Sequence, residues 1–346
     1  SHGVPDTKGV GGGSLDEYLK RSSASYVISH ASTPWLLHRQ MKVYHAVAGG
    51  DDMAVLLDRY NISPTAATAT QSVSAAGIEP QGAPHALLTL AIPQTTARKA
   101  IHRAILLLNL HGMELQRAQV DTIDDLSGSD VVLLRTVVRT LDGGSFDGAR
   151  GEALVADAAR LKWSSDQAYG LAGSSNGELN LLEAEVALGL ADLSLSRLDH
   201  PLLSRKHVRE RLLLEDVRPI AANLAKTFLS RFDPNASTRM DEQSYAAVLS
   251  QTLKDIETGP GNRDEQSKQM LRAMTSAAKH TLRTNVHVDG RWALSMRLDP
   301  RFFEPILPPI AAGFSNLPYG TFFVAGRHFN GYHNRFRDIA RGGLRV

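Results

Sequence analysis

Between Arg327 and Arg345 the chain reads RHFNGYHNRFRDIARGGLR: five arginines and one acid, with Phe329, Tyr332 and Phe336 interleaved. Three chemistries suit such a stretch. Guanidinium and aromatic groups in alternation can bind single-stranded nucleic acid through phosphate contacts and base stacking. They can instead belong to a structural strand whose arginines are solvated or ion-paired. Or the stretch is an anion site, where Gly342-Gly343 lets a ligand approach the backbone and arginine grips a carboxylate through two parallel hydrogen bonds. Composition by itself favours the structural reading.

Other arrangements carry less. Gly173-Ser174-Ser175-Asn176-Gly177 fits the G-x-S-x-G pattern of a nucleophile elbow. That motif needs a strand before it and a helix after it. A helix is expected to follow but no apolar strand precedes, so the segment reads as a loop capping the next helix. Gly9–Ser14 has no strand leading into it and no βαβ surroundings, which rules out a phosphate-binding loop. No P-loop or dinucleotide fingerprint appears elsewhere. His328 and His333, and His280 and His287, form no metal-binding pattern with carboxylates. Asp124-Asp125 sits beside a turn and reads as solvated. The absence of cysteine excludes disulfides, thiol nucleophiles and cysteine-bound zinc.

The elements that must position these groups follow from periodicity. Leu15–Ala48 reads as an amphipathic helix broken at Pro34, and Met53–Leu57 as a short strand. A Ser/Thr/Ala-rich linker, 61–84, comes next. His85–Ile92 is an apolar run of strand length, stopped by Pro93. Thr95 or Thr96 can cap a helix over Ala97–His111, and Gly112 ends it. Strands are expected at Met113–Val120 and Val131–Val138, with a second helix at Glu152–Trp163. Strand, helix, strand, strand, helix is the order of a ferredoxin-like sandwich, shared by regulatory amino-acid-binding modules of the ACT type; the layout alone fixes no function.

Helices dominate from Glu178. Leu179, Leu182, Val186, Leu190 and Leu193 form one apolar stripe. Leu202–Phe232 continues helical with a break near Pro219, and Asp241–Glu257 and Asp264–Arg283 follow. The pattern then turns to strands. Trp292, Leu294, Met296 and Leu298 alternate with Ala293, Ser295 and Arg297, and Asp289-Gly290 separates them from Val286–Val288, which predicts a hairpin. Thr321–Ala325 reads as a further strand, and Phe336–Val346 as a strand or loop.

The formal net charge of +2 gives no reason to expect nucleic acid or an anionic membrane, and no apolar run reaches the length of a membrane span. The fold class expected is α+β: a flexible lead or expression scar at 1–14, a helical segment and strand at 15–60, the linker at 61–84, an ACT-like ferredoxin-type module at 85–165, a helical region at 178–283, and the first strands of a further domain at 284–346. Val346 closes a Gly-Gly-Leu-Arg-Val stretch, which suggests a truncated chain.

The last residues carry a resemblance. Leu317-Pro318-Tyr319-Gly320, Phe322-Phe323-Val324, Gly326–His333 and Arg335–Arg345, together with Arg283-Thr284-Asn285 and Ala293–Pro300, resemble the large NAD-specific glutamate dehydrogenases of fungi, protists and bacteria. The string Asp-Ile-Ala-Arg-Gly-Gly-Leu-Arg is its most specific part. The resemblance implies oxidative deamination of L-glutamate to 2-oxoglutarate and ammonia with hydride transfer to NAD, in an intracellular homo-oligomer, mitochondrial or cytoplasmic. Shorter members of the superfamily carry Lys-Gly-Gly-Leu-Arg at a similar place, where the lysine contacts a substrate carboxylate. By that resemblance Arg341 lies at the substrate site, shaped by Gly342 and Gly343, with Arg345 completing the motif. The family's catalytic lysine and its nicotinamide-binding domain lie past this motif, so the 346 residues are expected to hold no cofactor and to be inactive alone. A free amino-acid-sensing module is the alternative.

Overall fold

The computed structural model describes residues 34–49, 51, 53–59, 85–124, 130–144, 146, 148–175, 177–195, 205–259, 263–288, 293–303 and 321–325. Helix α1 (Pro34–Ala48) begins at the proline where the sequence predicts a break, and the expected helical stretch before it lies outside the described residues. Proline in a first turn forfeits no helical hydrogen bond and its fixed φ suits the helix, so it opens the element. Strand β1 (Ala54–Arg59) runs a little past the expected stretch.

Strand β2 (His85–Pro93), helix α2 (Ala97–Leu110), strand β3 (Met113–Asp124), strand β4 (Asp130–Thr140) and helix α3 (Gly148–Ala158) follow in the expected order. Thr96 caps α2, its side chain accepting from the Lys99 amide at 3.4 Å, and Gly112 follows the helix at φ 62, a conformation that suits glycine. Helix α3 begins four residues before the expected start. Its helical faces are set by buried Gly151, Leu154 and Ala158, and the chain leaves the helix before Leu161, which is buried in the turn that follows.

The four strands form one antiparallel sheet in the order β1-β2-β4-β3. The strand beside β2 therefore precedes the β-α-β-β-α unit in sequence instead of following its second helix. Central strands bury both faces, which explains why β2 and β4 read as nearly continuous apolar runs. One face presents Ala86, Leu88, Leu90, Ile92, Val132, Leu134 and Val138, sealed by α2 and α3 through buried Ala100, Ala104, Leu107, Leu108 and Leu154. On the other face α1 packs Met41, Val43 and Tyr44 against Ala91, Ile123, Val131 and Leu133. The structure bears out an α+β chain opening on an antiparallel sheet with helices.

Residues 163–346 form a separate compact unit. Helix α4 (Asp166–Gly173) was not foreseen; Ser165 caps it. Helix α5 (Leu181–Ser194) is closed by a full capping box between Asn180 and Glu183. It is buried nearly all round because α4, helix α6 (Arg205–Arg211), helix α7 (Arg218–Arg231) and the later helix Glu265–His280 all touch it. Pro219 sits in the first turn of α7, so the break falls before the proline. Helix α8 (Glu242–Thr258) and helix α9 (Glu265–His280) are capped by Asp241 and Asp264.

Helix α9 ends earlier than expected, and strand β5 (Thr281–Thr284) pairs with strand β6 (Leu294–Leu298), which pairs with strand β7 (Thr321–Ala325). The hairpin is real but its first arm is Thr281–Thr284 and not Val286–Val288. The Asn285 side chain donates to Ala293 O at 2.9 Å and accepts from Ser295 N at 2.7 Å. It satisfies the β6 backbone from a side chain and lets residues 286–288 turn away.

Candidate functional site

Arg341, Gly342, Gly343 and Arg345 lie outside the described residues, as do His328, His333 and the whole Arg327–Arg345 stretch. The upstream part of the resembling text, Arg283–Asn285 and Ala293–Pro300, lies among the described residues on and beside β5 and β6. Arg283 and Arg297 are exposed on β5 and β6. Asp299 holds Arg301, whose bonds keep its carboxyl at about 2, below the usual carboxylate range.

The G-x-S-x-G segment is a helix-to-helix turn. Ser175 Oγ donates to Ala172 O at 2.6 Å and accepts from Leu179 N at 3.0 Å, and the side chain is fully buried. A hydroxyl occupied in that way is a cap, not a nucleophile. His280 Nδ1 lies 2.8 Å from Ser276 O, and His287 Nε2 lies 3.0 Å from Leu229 O. Among the described residues no cluster of histidines and acids could hold a metal.

The described residues do assemble a polar group that sequence reading passed over. Registers across the sheet place Leu56, Thr89, Arg135 and Gln119 in one row on the α1 face. Ala54, Ala91, Leu133 and Asp121 form the next row, and Asp58, Leu87, Val137 and Arg117 the row on the other side. A last row holds His85, Arg139 and Glu114. Helix α1 packs Met41, Val43 and Tyr44 on the apolar end of this face and extends Arg39 to Asp58.

Its chemistry is that of charges held partly away from water. Arg39 Nη2 lies 2.7 Å from Asp58 Oδ1, and burial still pushes the Asp58 carboxyl up, against the pull of Arg39 and Lys42. Burial raises Asp121 to about 6, with Arg135 opposing. Arg135 donates to Gln119, and Arg139 pairs with Glu114. His85 is pushed down by burial and then by Arg139, with Glu114 working the other way. Thr89 is fully buried, and its hydroxyl has no hydrogen-bond partner among the described residues. A guanidinium, a carboxylate whose pKa is raised to about 6 and an unpartnered buried hydroxyl thus share one face of the sheet. The signal available in the sequence was a polar residue interrupting an apolar strand, Thr89 in HALLTLAI and Arg135 in VVLLRTVV.

No protein-family model matches the chain. Curated relatives do. It is 31% identical to glutamate dehydrogenase 2 of Dictyostelium discoideum over 153 residues, 44% of this chain and 14% of that protein. It is 40% identical to the NAD-specific glutamate dehydrogenase of Saccharomyces cerevisiae over 106 residues, 31% of this chain and 8% of the relative. With the NAD-specific glutamate dehydrogenase of Neurospora crassa the identity is 31% over 107 residues, 31% of this chain and 9% of the relative. The matched segments therefore span 14% or less of these three proteins. Over part of its length, the chain is similar to the large NAD-specific glutamate dehydrogenases.

Proposed function

We propose that the chain is part of an NAD-dependent glutamate dehydrogenase, which oxidises L-glutamate to 2-oxoglutarate and ammonia and transfers a hydride to NAD. The observation that carries this reading is the 40% identity to an enzyme named NAD-specific glutamate dehydrogenase, together with the Asp338–Arg345 string. In it Arg341 contacts a substrate carboxylate, Gly342 and Gly343 let the substrate reach the backbone, and Arg345 supports the turn. A planar guanidinium offers a carboxylate two parallel bonds where an ammonium offers a point charge. The sheet and the helical layer serve as regulatory and inter-subunit parts of a homo-oligomer. Hydride transfer requires a positioned nicotinamide and a tuned base, and no dinucleotide fingerprint occurs in these residues. On this reading the 346 residues alone are expected to be inactive.

The test follows NADH formation from L-glutamate and NAD with this chain and with the chain extended along its native reading frame. Activity in the extended protein, lost in Arg341→Gln mainly through a raised KM, is the expected result. A folded extended protein without activity overturns the reading. A second reading, an ACT-like amino-acid-sensing module, is favoured by the polar face of the sheet. Arg135 and Asp121 match the carboxylate and ammonium of a free amino acid in charge. Saturable binding of an amino acid, abolished by deleting residues 85–140, would support it.

A further inference from the structure

Strand β5 carries an irregularity that changes which way a charge faces. Thr281 stands opposite Leu298, Arg283 opposite Arg297 and Thr284 opposite Met296, so the register shifts between Thr281 and Arg283 and Leu282 is the extra residue. In plain alternation Thr281 and Arg283 would share the buried side of the strand. The bulge turns Leu282 and Arg283 outward together, and both are exposed while Thr281 is buried. Arg283 thereby stands beside Arg297, which is exposed between buried Met296 and Leu298.

The hairpin thus brings two like charges together without relief. Opposed side chains on paired strands begin about 5 Å apart, and like charges at that spacing repel. The register brings no acid to either one, because Arg297 stands between Arg283 on β5 and Phe322 on β7. The next acid along the chain, Asp299, accepts from Arg301 at both of its oxygens. Among the described residues neither Arg283 nor Arg297 makes an ion pair or a side-chain hydrogen bond.

We propose that Arg283 and Arg297 form an anion site that takes the phosphate group of a small soluble ligand. Charge and shape both select that group. Two guanidinium groups carry two positive charges, and a phosphate monoester approaches two negative charges near neutral pH. Each guanidinium presents a planar fork of donors, and the oxygens of one phosphate group can accept from two forks at once. A carboxylate carries a single charge, and one fork fills it. Binding removes the repulsion that the free hairpin carries. Leu282, exposed beside Arg283, offers an apolar contact for the body of the ligand. The site is independent of the dehydrogenase reading and of the polar face of the four-stranded sheet.

The test is isothermal titration calorimetry of the full chain with phenyl phosphate at low ionic strength, where exposed charges are least screened. Wild type is expected to bind saturably. Arg283→Gln and Arg297→Gln should each raise Kd about tenfold or more. Lys226→Gln, at an exposed cation on α7, should leave it within about threefold. Circular dichroism shows whether each variant folds. Without ligand, the variants at Arg283 and Arg297 should melt no lower than wild type, since each removes a repulsion. Phenyl phosphate should raise the Tm of wild type and leave that of the double variant unchanged. Any of four results overturns the proposal: a wild type that does not bind, a folded double variant that binds as tightly as wild type, an equal loss of binding in Lys226→Gln, or glutarate binding as tightly as phenyl phosphate.

Discussion

Replacing Gly259 by alanine should weaken the helical unit severely, for a reason that is not backbone conformation. Gly259 ends α8 at φ −67 and ψ 162, values open to any residue. What it cannot accept is a Cβ, which would stand 2.3 Å from Asp255 O and 2.8 Å from Arg263 Nη2. That carbonyl accepts from Gly259 N at 3.0 Å and from Arg263 Nη2 at 2.7 Å. The same guanidinium donates through Nη1 to Asp216 O at 2.9 Å, and Arg263 is buried. One arginine thus ties the end of α8 to the turn before α7, and a methyl group would drive a wedge into that tie. Losing a charge-assisted hydrogen bond costs about 1.5–3 kcal/mol, and overpacking adds about 1–3 kcal/mol. The expected loss is about 3 kcal/mol, read as a lowered urea midpoint by circular dichroism. Gly173→Ala is the control: nothing lies within 4 Å of its Cβ, so it should be neutral or slightly stabilising. A Gly259→Ala loss below about 1 kcal/mol would refute the wedge argument.

Three further outcomes are expected. Stability should fall as pH rises from about 4 through about 6, because folded Asp121 holds its proton more tightly than the unfolded carboxyl does. Asp121→Asn should remove that slope and stabilise the chain near neutrality by about 1 kcal/mol, because solvent screens this half-exposed group; a slope that persists in the variant refutes the assignment. Tyr245→Phe should cost about 1 kcal/mol by denaturation, since the phenol donates to Ala278 O at 3.0 Å in a buried site. Asp264→Asn keeps the α9 cap and loses the Arg211 pair. Arg211 first, then Ser267, hold Asp264 at about 2, so its stabilisation is full above the unfolded pKa near 4 and vanishes as pH falls through about 2. Variant and wild type should therefore converge in acid, and a difference that survives there would point to the cap instead.

Much of the first unit was readable from local pattern. His85–Pro93, Ala97–Leu110 and the two strands after them announce themselves by length, alternation and capping residues. The failures share a cause: each depended on a partner far away in sequence. Asp289-Gly290 drew the hairpin toward Val286–Val288, while the observed arm is fixed by the Asn285 side chain reaching across to β6. The polar face was invisible because Thr89, Arg135 and Asp121 become neighbours only through the strand register. The motif that named the family was the most legible text of all, yet it lies outside the described residues, so fold and candidate substrate site were read from separate parts of the chain.

The placement of β1 also sets how the chain can be shortened. Strand β2 has eight consecutive buried residues, and among the described residues its outer backbone is paired by the six residues Ala54–Arg59. Any trimming or proteolytic nick that releases β1 converts an interior strand into an apolar border able to recruit other chains, the hallmark of aggregation-prone fragments. This short strand, far upstream of the segment it protects, thus acts as a solubility guard for everything that follows.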